Sequence, residues 1–137
     1  MSAAITILIR DGFRLSVEPM SGYYEDRLAA DRLKRVYEVA SFRVRRYLEA
    51  ELEHLLSRIE AGDLVLDLGC GYGRTLPSLG RRAGRVIGID NSTTSLRLAG
   101  ESIVPGGNCG LAAMDAAELA FPPDVFDVVG CIQNGIS

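Results

Sequence analysis

Cysteine, histidine and lysine are all scarce in this chain of 137 residues. Cys70, Cys109 and Cys131 are odd in number and far apart, and none has a C-x-x-C partner or a neighbouring histidine. That excludes a disulfide framework and a zinc site, and free thiols fit a reducing compartment. No apolar run approaches the roughly 20 residues that span a bilayer. The amino terminus lacks the basic segment, apolar stretch and small-residue cleavage site of a secretory signal, so the cytoplasm is the expected location. The charge balance of −3 lacks the clustered positive excess that nucleic-acid binding needs. Arg43, Arg45 and Arg46 are a local exception, read as a solvated helix face. Because Lys34 is the only lysine, the arginine preference is read as coding bias.

What is present is aliphatic and glycine-rich, with no Pro/Gly/Ser-rich or single-charge block to suggest disorder. Ile5 to Val17 reads as a β-hairpin around Asp11-Gly12. A three-residue loop, Arg10-Asp11-Gly12 with Gly12 left-handed, pairs Ile9 with Phe13, Ile7 with Leu15 and Ile5 with Val17 on one face. From Tyr24 to Glu60 the apolar period is helical, through Leu28, Val36, Val39, Val44, Tyr47, Leu48, Leu52, Leu55, Leu56 and Ile59. A break at Ala40-Ser41 divides it into two helices, and Gly62 is the stop for the second.

Strands and helices then alternate. Strands are expected at Leu64 to Leu68, Arg85 to Asp90, Leu111 to Met114 and Val125 to Ile132. Helices are expected at Leu76 to Arg82 and, behind a Ser92 cap, at Ser95 to Glu101, with a short turn at Ala116 to Leu119. Continuous apolar strands separated by helices indicate a parallel sheet covered on both faces. The expected fold is α/β, a Rossmann-like doubly wound parallel sheet. The hairpin occupies residues 1–20, a helical segment residues 21–62 and the sheet residues 63–137.

The chemistry concentrates in Val65-Leu66-Asp67-Leu68-Gly69-Cys70-Gly71-Tyr72-Gly73-Arg74, a strand entering a glycine-rich turn before a helix. Glycines permit positive φ and remove Cβ atoms that would hold a ligand off the backbone. Asp90 ends the next strand, about 20 positions beyond the first glycine, where doubly wound folds place a carboxylate on ribose hydroxyls. It could instead cap the following helix, but Ser92 supplies that cap. The spacing Gly69, Gly71, Gly73 puts Arg74 where a dinucleotide fingerprint has its third glycine, which disfavours a pyrophosphate cradle.

With these residues the chain resembles class I S-adenosylmethionine-dependent methyltransferases. Their first motif is similar to Asp67–Gly73, and their second ends in an acid matching Asp90. The resemblance continues through Met114-Asp115-Ala116-Ala117-Glu118-Leu119-Ala120-Phe121 and Val125-Phe126-Asp127-Val128-Val129. It implies S-adenosyl-L-methionine as cofactor and no metal. The cofactor contacts it implies are Asp67, Gly69, Cys70, Gly71, Gly73, Asp90, Asn91, Asp115, Ala116 and Gln133. Asp115 would lie near the adenine amino group, with the next backbone amide near a ring nitrogen. Asp67 would lie near the methionine amino end, or else orient the glycine loop; both roles stay open. Cys70 is a small loop filler without an activating neighbour beyond Arg74. His54, among Leu52, Leu55 and Leu56, is read as structural. The two helices before the sheet resemble those that lid the cofactor in many members.

After the last strand the chain reads Cys131-Ile132-Gln133-Asn134-Gly135. Methyltransferases of nucleic-acid amino groups show Asn/Asp-Pro-Pro-aromatic there, whereas Pro122-Pro123 precedes the strand, so a small-molecule acceptor is expected. Gln133 and Asn134 either face the acceptor or cap the strand end. A cofactor-binding subunit needing a partner, and a Rossmann protein of other chemistry, remain as alternatives. The family sheet runs 3-2-1-4-5-7-6, and only strands 3-2-1-4 are legible here. The fourth strand is therefore expected to be a bare apolar edge, from a truncated reading frame or a site for homodimer pairing, unless the hairpin covers it.

Overall fold

A computed structural model of the chain describes residues 6–9 and 30–132. The second arm of the expected hairpin, its Asp11-Gly12 turn, Leu28, Gln133 and Asn134 lie outside the described residues. Within them run β1 (Thr6–Ile9), α1 (Ala30–Glu38), α2 (Phe42–Leu56), β2 (Leu64–Leu68), α3 (Leu76–Arg82), β3 (Arg85–Asp90), α4 (Thr93–Ser102), β4 (Cys109–Ala113) and β5 (Val128–Cys131).

The sheet order is β1-β5-β2-β3-β4. β2, β3, β4 and β5 are parallel, with Leu64 opposite Arg85, Val86 opposite Cys109 and Val65 opposite Val128. Read from β4 to β5, this is the expected 3-2-1-4 arrangement. The bare fourth edge is not found. β1 pairs antiparallel with β5, Thr6 opposite Cys131 and Ile9 opposite Val128, so the outer edge of β5 is hydrogen-bonded within the chain. Parallel strands need a crossover, whereas an antiparallel strand fills an edge without one.

The alternation of side chains on the strands divides the core in two. Val65, Val86 and Val128 face α2, α3 and α4 and pack with Leu55, Ile59, Leu76, Leu79 and Ala99. Each such side chain taken from water contributes roughly 1.5–3 kcal/mol. Leu66, Leu68 and Ile89 point to the other face, where Met114, Phe121 and Phe126 pack on them. The two phenylalanines meet edge to face at 4.9 Å.

Several boundaries differ from expectation for local reasons. α2 ends at Leu56, not at Gly62, because Arg58 and Ile59 amides donate to the Leu55 and Leu56 carbonyls in tighter turns. The last strand begins at Val128 because the Pro122-Pro123 segment turns at Asp124, whose φ is 58°. Val125 is accordingly an exposed loop residue. Asp127 then fastens the start of the strand, its Oδ2 accepting from Leu64 N at 2.9 Å. The expected break between α1 and α2 is present, and Ser41 Oγ accepts from Val44 N to cap α2. Val39 and Tyr47, placed on the apolar stripe by periodicity, are exposed instead.

Candidate active site

β2 delivers the chain into a turn whose three glycines are all left-handed, with φ of 68° at Gly69, 56° at Gly71 and 84° at Gly73. Side chains with a Cβ rarely adopt such angles. The three glycines do different work. A Cβ at Gly69 would meet open space, but one at Gly73 would fall 2.6 Å from Ser102 Oγ and 3.0 Å from the Ala99 Cα. Gly73 is thus a packing glycine that lets the turn rest on α4. Gly71 N donates to Asp90 Oδ2 at 2.9 Å, which ties the turn to the end of β3.

Asp90 also accepts from Ser92 N through Oδ1 at 2.8 Å. Ser92 Oγ caps α4 by accepting from Ser95 N, so the expected division of labour holds in part: Ser92 caps, and Asp90 braces both the turn and the cap residue. Each carboxylate oxygen keeps acceptor capacity for a further donor. Met114 N donates to Asp90 O at 3.0 Å and brings the start of the 115–121 segment beside the end of β3. There Asp115 Oδ1 accepts from Ala117 N at 2.8 Å, while Ala116 is half-buried and Asn91 exposed.

Asp67 is buried beneath the turn and accepts from Thr75 Oγ1 at 2.8 Å. Thr75 precedes α3 but spends its hydroxyl on Asp67 and makes no side-chain cap, leaving Pro77 to favour the helix start. Burial pushes the Asp67 carboxyl up to about 6, against the opposing effects of the Thr75 hydrogen bond and the Arg74 charge. Cys70 is buried too, and burial together with the Asp67 and Asp90 charges pushes its thiol well up. A thiol held protonated is no nucleophile, in agreement with its reading as loop filler.

Two residues outside the expected set lie beside this turn. Glu51, on α2, is only 2% exposed, and the donor nearest its carboxylate is the Tyr47 hydroxyl, too far for a well-formed hydrogen bond. Burial raises its carboxyl, although Tyr47 and Arg74 both favour the charged form from nearby. Arg74 has a buried Nε and Nη2, also without acceptors, and its guanidinium lies 4.8 Å from the Tyr37 ring centroid. Tyr37 in turn meets Tyr72 of the turn at 5.9 Å. The signal for Glu51 was in the sequence: it occupies the apolar stripe, three positions after Leu48 and four before Leu55.

The remaining sequence candidates are peripheral. His54 is exposed, not packed among the leucines, because it falls on the outer side of the stripe. Arg43, Arg45 and Arg46 are exposed, as a solvated helix face requires. Among the described residues no group of three or more His, Cys, Asp or Glu side chains is disposed to hold a metal. No helix among them is long and apolar enough to cross a membrane.

Residues 65–137 match the family model described as a methyltransferase domain. The chain is 36% identical over 81 residues to 2-methyl-6-phytyl-1,4-hydroquinone methyltransferase of Synechocystis sp., an alignment covering 58% of this chain and 26% of that protein. It is 34% identical over 99 residues to the probable methyltransferase ltbC of Aspergillus luteorubrus, covering 65% and 35%. Its backbone is similar to that of an S-adenosylmethionine dependent methyltransferase from Mesorhizobium loti, with a TM-score of 0.50 at 29% identity, over 57% of this chain and 36% of that one.

The chain belongs to this family: it is a class I, Rossmann-like methyltransferase domain, and the Mesorhizobium loti protein it resembles is named for its dependence on S-adenosylmethionine. It spans about a quarter and about a third of the length of the two curated relatives. The site suits such a cofactor, since the left-handed turn presents backbone without Cβ atoms and Asp90 offers acceptors beside it.

Proposed function

We propose that this domain serves transfer of a methyl group from S-adenosyl-L-methionine to a small molecule. The observation that carries the reading is the join between Asp90 and Gly71, which sets an acceptor carboxylate against a Cβ-free turn at the carboxyl end of parallel strands. When bound, the cofactor supplies an activated methyl on a sulfonium with a neutral leaving group. The protein's contribution is positioning, which can lower a barrier by several kcal/mol. Gly69, Cys70, Gly71 and Gly73 would lie along the cofactor, with Asp90 and Asn91 at the ribose and Asp115 and Ala116 at the adenine. Asp67 would serve the methionine end through the turn it braces. Gln133 would stand at the mouth of the crevice.

A small acceptor is supported by the curated relative named for a hydroquinone, and by the order of Pro122-Pro123 before β5. In this reading residues 21–62 form a lid over the 63–137 core, and the three free cysteines favour the reducing cytoplasm. Self-association through β5 would require β1 to leave, so homodimer pairing is reserved for a chain that has lost it. Deleting residues 1–20 is expected to convert a monomer to an associating species in light scattering. Unchanged mass would show that β1 is dispensable as an edge cover.

The test of the reading is calorimetric titration with S-adenosylhomocysteine. Asp90→Ala removes charge-assisted bonds and is expected to weaken binding by about thirtyfold, or about 2 kcal/mol. An Asp90→Ala chain that binds as tightly as the wild type would remove Asp90 from the site, and a wild type that does not bind at all would overturn the function.

A further inference from the structure

The corner between α1 and α2 has two sides of opposite character. On the inner side Tyr37 of α1 and Leu48 of α2 are buried, with Val44 and Tyr72 of the glycine-rich turn packed against them. The corner is thereby seated on the turn, the Tyr37 and Tyr72 rings lying 5.9 Å apart. On the outer side two large apolar side chains flank the Ala40-Ser41 break, Val39 at 81% exposure and Phe42 at 71%. Single exposed apolar residues are ordinary on a protein surface, and it is the surroundings that set this pair apart.

From Arg32 to Arg46 the chain carries Arg32, Lys34, Arg35, Arg43, Arg45 and Arg46 against Glu38 alone, and all six basic side chains are exposed. This stretch is strongly positive in a chain whose net charge is −3. Acidic residues bound it, Asp31 before and Glu49 after, so the positive charge is concentrated at the corner. The helical period of α2 puts Phe42, Arg43 and Arg46 on the side away from buried Leu48, Glu51 and Leu55.

Apolar tips ringed by cations match an anionic lipid surface, where basic side chains meet the headgroups and apolar ones enter the acyl boundary. Other occupants fit less well. A second copy of the same surface would set six cations against six, and like charges brought together oppose association. A nucleic acid would meet a Phe42 ring already covered on one face by the Arg46 guanidinium, 5.8 Å from its centroid, and Val39 has no face on which a base can stack.

We propose that the α1–α2 corner docks the domain on an anionic membrane surface, with Val39 and Phe42 entering the headgroup boundary and the six basic side chains meeting lipid phosphates and carboxylates. The contact lies on the bilayer and uses no spanning helix; among the described residues none is long and apolar enough to cross. Because the inner side of the corner rests on the glycine-rich turn, docking holds that turn close to the lipid. The proposal goes beyond the cofactor reading and does not depend on it.

The experiment floats the full chain through a density gradient with vesicles of phosphatidylcholine alone, or of an equal mixture with phosphatidylserine. The wild type should rise with the mixed vesicles, stay behind with the neutral ones and be released by salt, which screens exposed charges. Arg43→Gln, Arg45→Gln and Arg46→Gln combined should lower partitioning by about a hundredfold. Val39→Ser with Phe42→Ser should lower it by about thirtyfold. Both variants change exposed residues only, so their melting temperatures should match that of the wild type.

A wild type that stays behind with both kinds of vesicle overturns the proposal. So does a loss on removing the arginines with none on removing Val39 and Phe42, which is adsorption by charge alone. Duplex RNA bound without any partitioning to vesicles assigns the surface to nucleic acid. A doubled mass in light scattering that Phe42→Ser reverses assigns it to a second copy, and either result overturns membrane docking.

Discussion

Gly71→Val is expected to weaken S-adenosylhomocysteine binding by more than a hundredfold, roughly 3 kcal/mol, while the chain still folds. Gly71 is buried at φ 56°, and a β-branched residue is a genuine outlier there. The strain is of order 1–2 kcal/mol, a minor part of a domain's usual stability, so the sheet survives. The turn does not keep its shape, because relief of the strain pulls Gly71 N away from Asp90 Oδ2 and disorganises the carboxylate proposed to bind the ribose. Gly73→Ala is the control. There the added Cβ meets the backbone of α4, so melting temperature and affinity should fall together. In Gly71→Val affinity should fall much further than stability. Normal titration of a folded Gly71→Val chain would show that the turn is only structural.

The order and direction of the parallel strands were readable because each depends on a local pattern repeated several times. Leu64 to Leu68 and Arg85 to Asp90 are short apolar runs closed by glycine or acid, and both strands form with those limits. The Asp67-to-Gly73 turn and Asp90 were readable for the same reason, since a turn requiring left-handed φ leaves glycines in the sequence. What escaped depends on contacts between distant segments. The pairing of β1 with β5, present in the sequence reading only as one alternative for covering the edge, joins residues more than a hundred positions apart, and nothing in Thr6–Ile9 itself names its neighbour. The role of Thr75 escaped because a threonine before a helix reads as a cap, whereas its hydroxyl is drawn to buried Asp67.

Glu51 illustrates the limit most clearly. In a helical stripe a single glutamate among leucines reads as a flaw in the pattern, and the period assigns it no partner. Only the tertiary position of α2 turns that flaw into a buried carboxyl near Arg74. Arg74 was noticed as the residue displacing a third glycine, which told against a dinucleotide but did not by itself indicate what the guanidinium serves.

The buried carboxyl of Asp67 makes the ligand-free chain sensitive to pH in a direction opposite to that of most salt-bridged acids. Its proton is held to about 6 in the folded state, against an ordinary aspartate value near 4 when unfolded. Between these values the native state binds more protons than the unfolded chain, so stability falls as pH rises through the window. The stabilisation is fully present below about pH 4 and lost above about pH 6, a change of about 3 kcal/mol for this one group. Asp67→Asn keeps an oxygen to accept from Thr75 Oγ1 but cannot titrate. Denaturant melts of wild type and Asp67→Asn from pH 4 to pH 7 should therefore diverge. The wild type should lose stability relative to the variant as pH rises, and the difference should level off above pH 6. Glu51, also raised by burial, contributes in the same direction to both proteins and largely drops out of the comparison. A stability difference that stays flat across the window would show that Asp67 is ionised in the folded chain throughout. In that case the turn would rest on a charged brace, held ionised by the Thr75 hydrogen bond and the nearby Arg74 charge against the cost of burial.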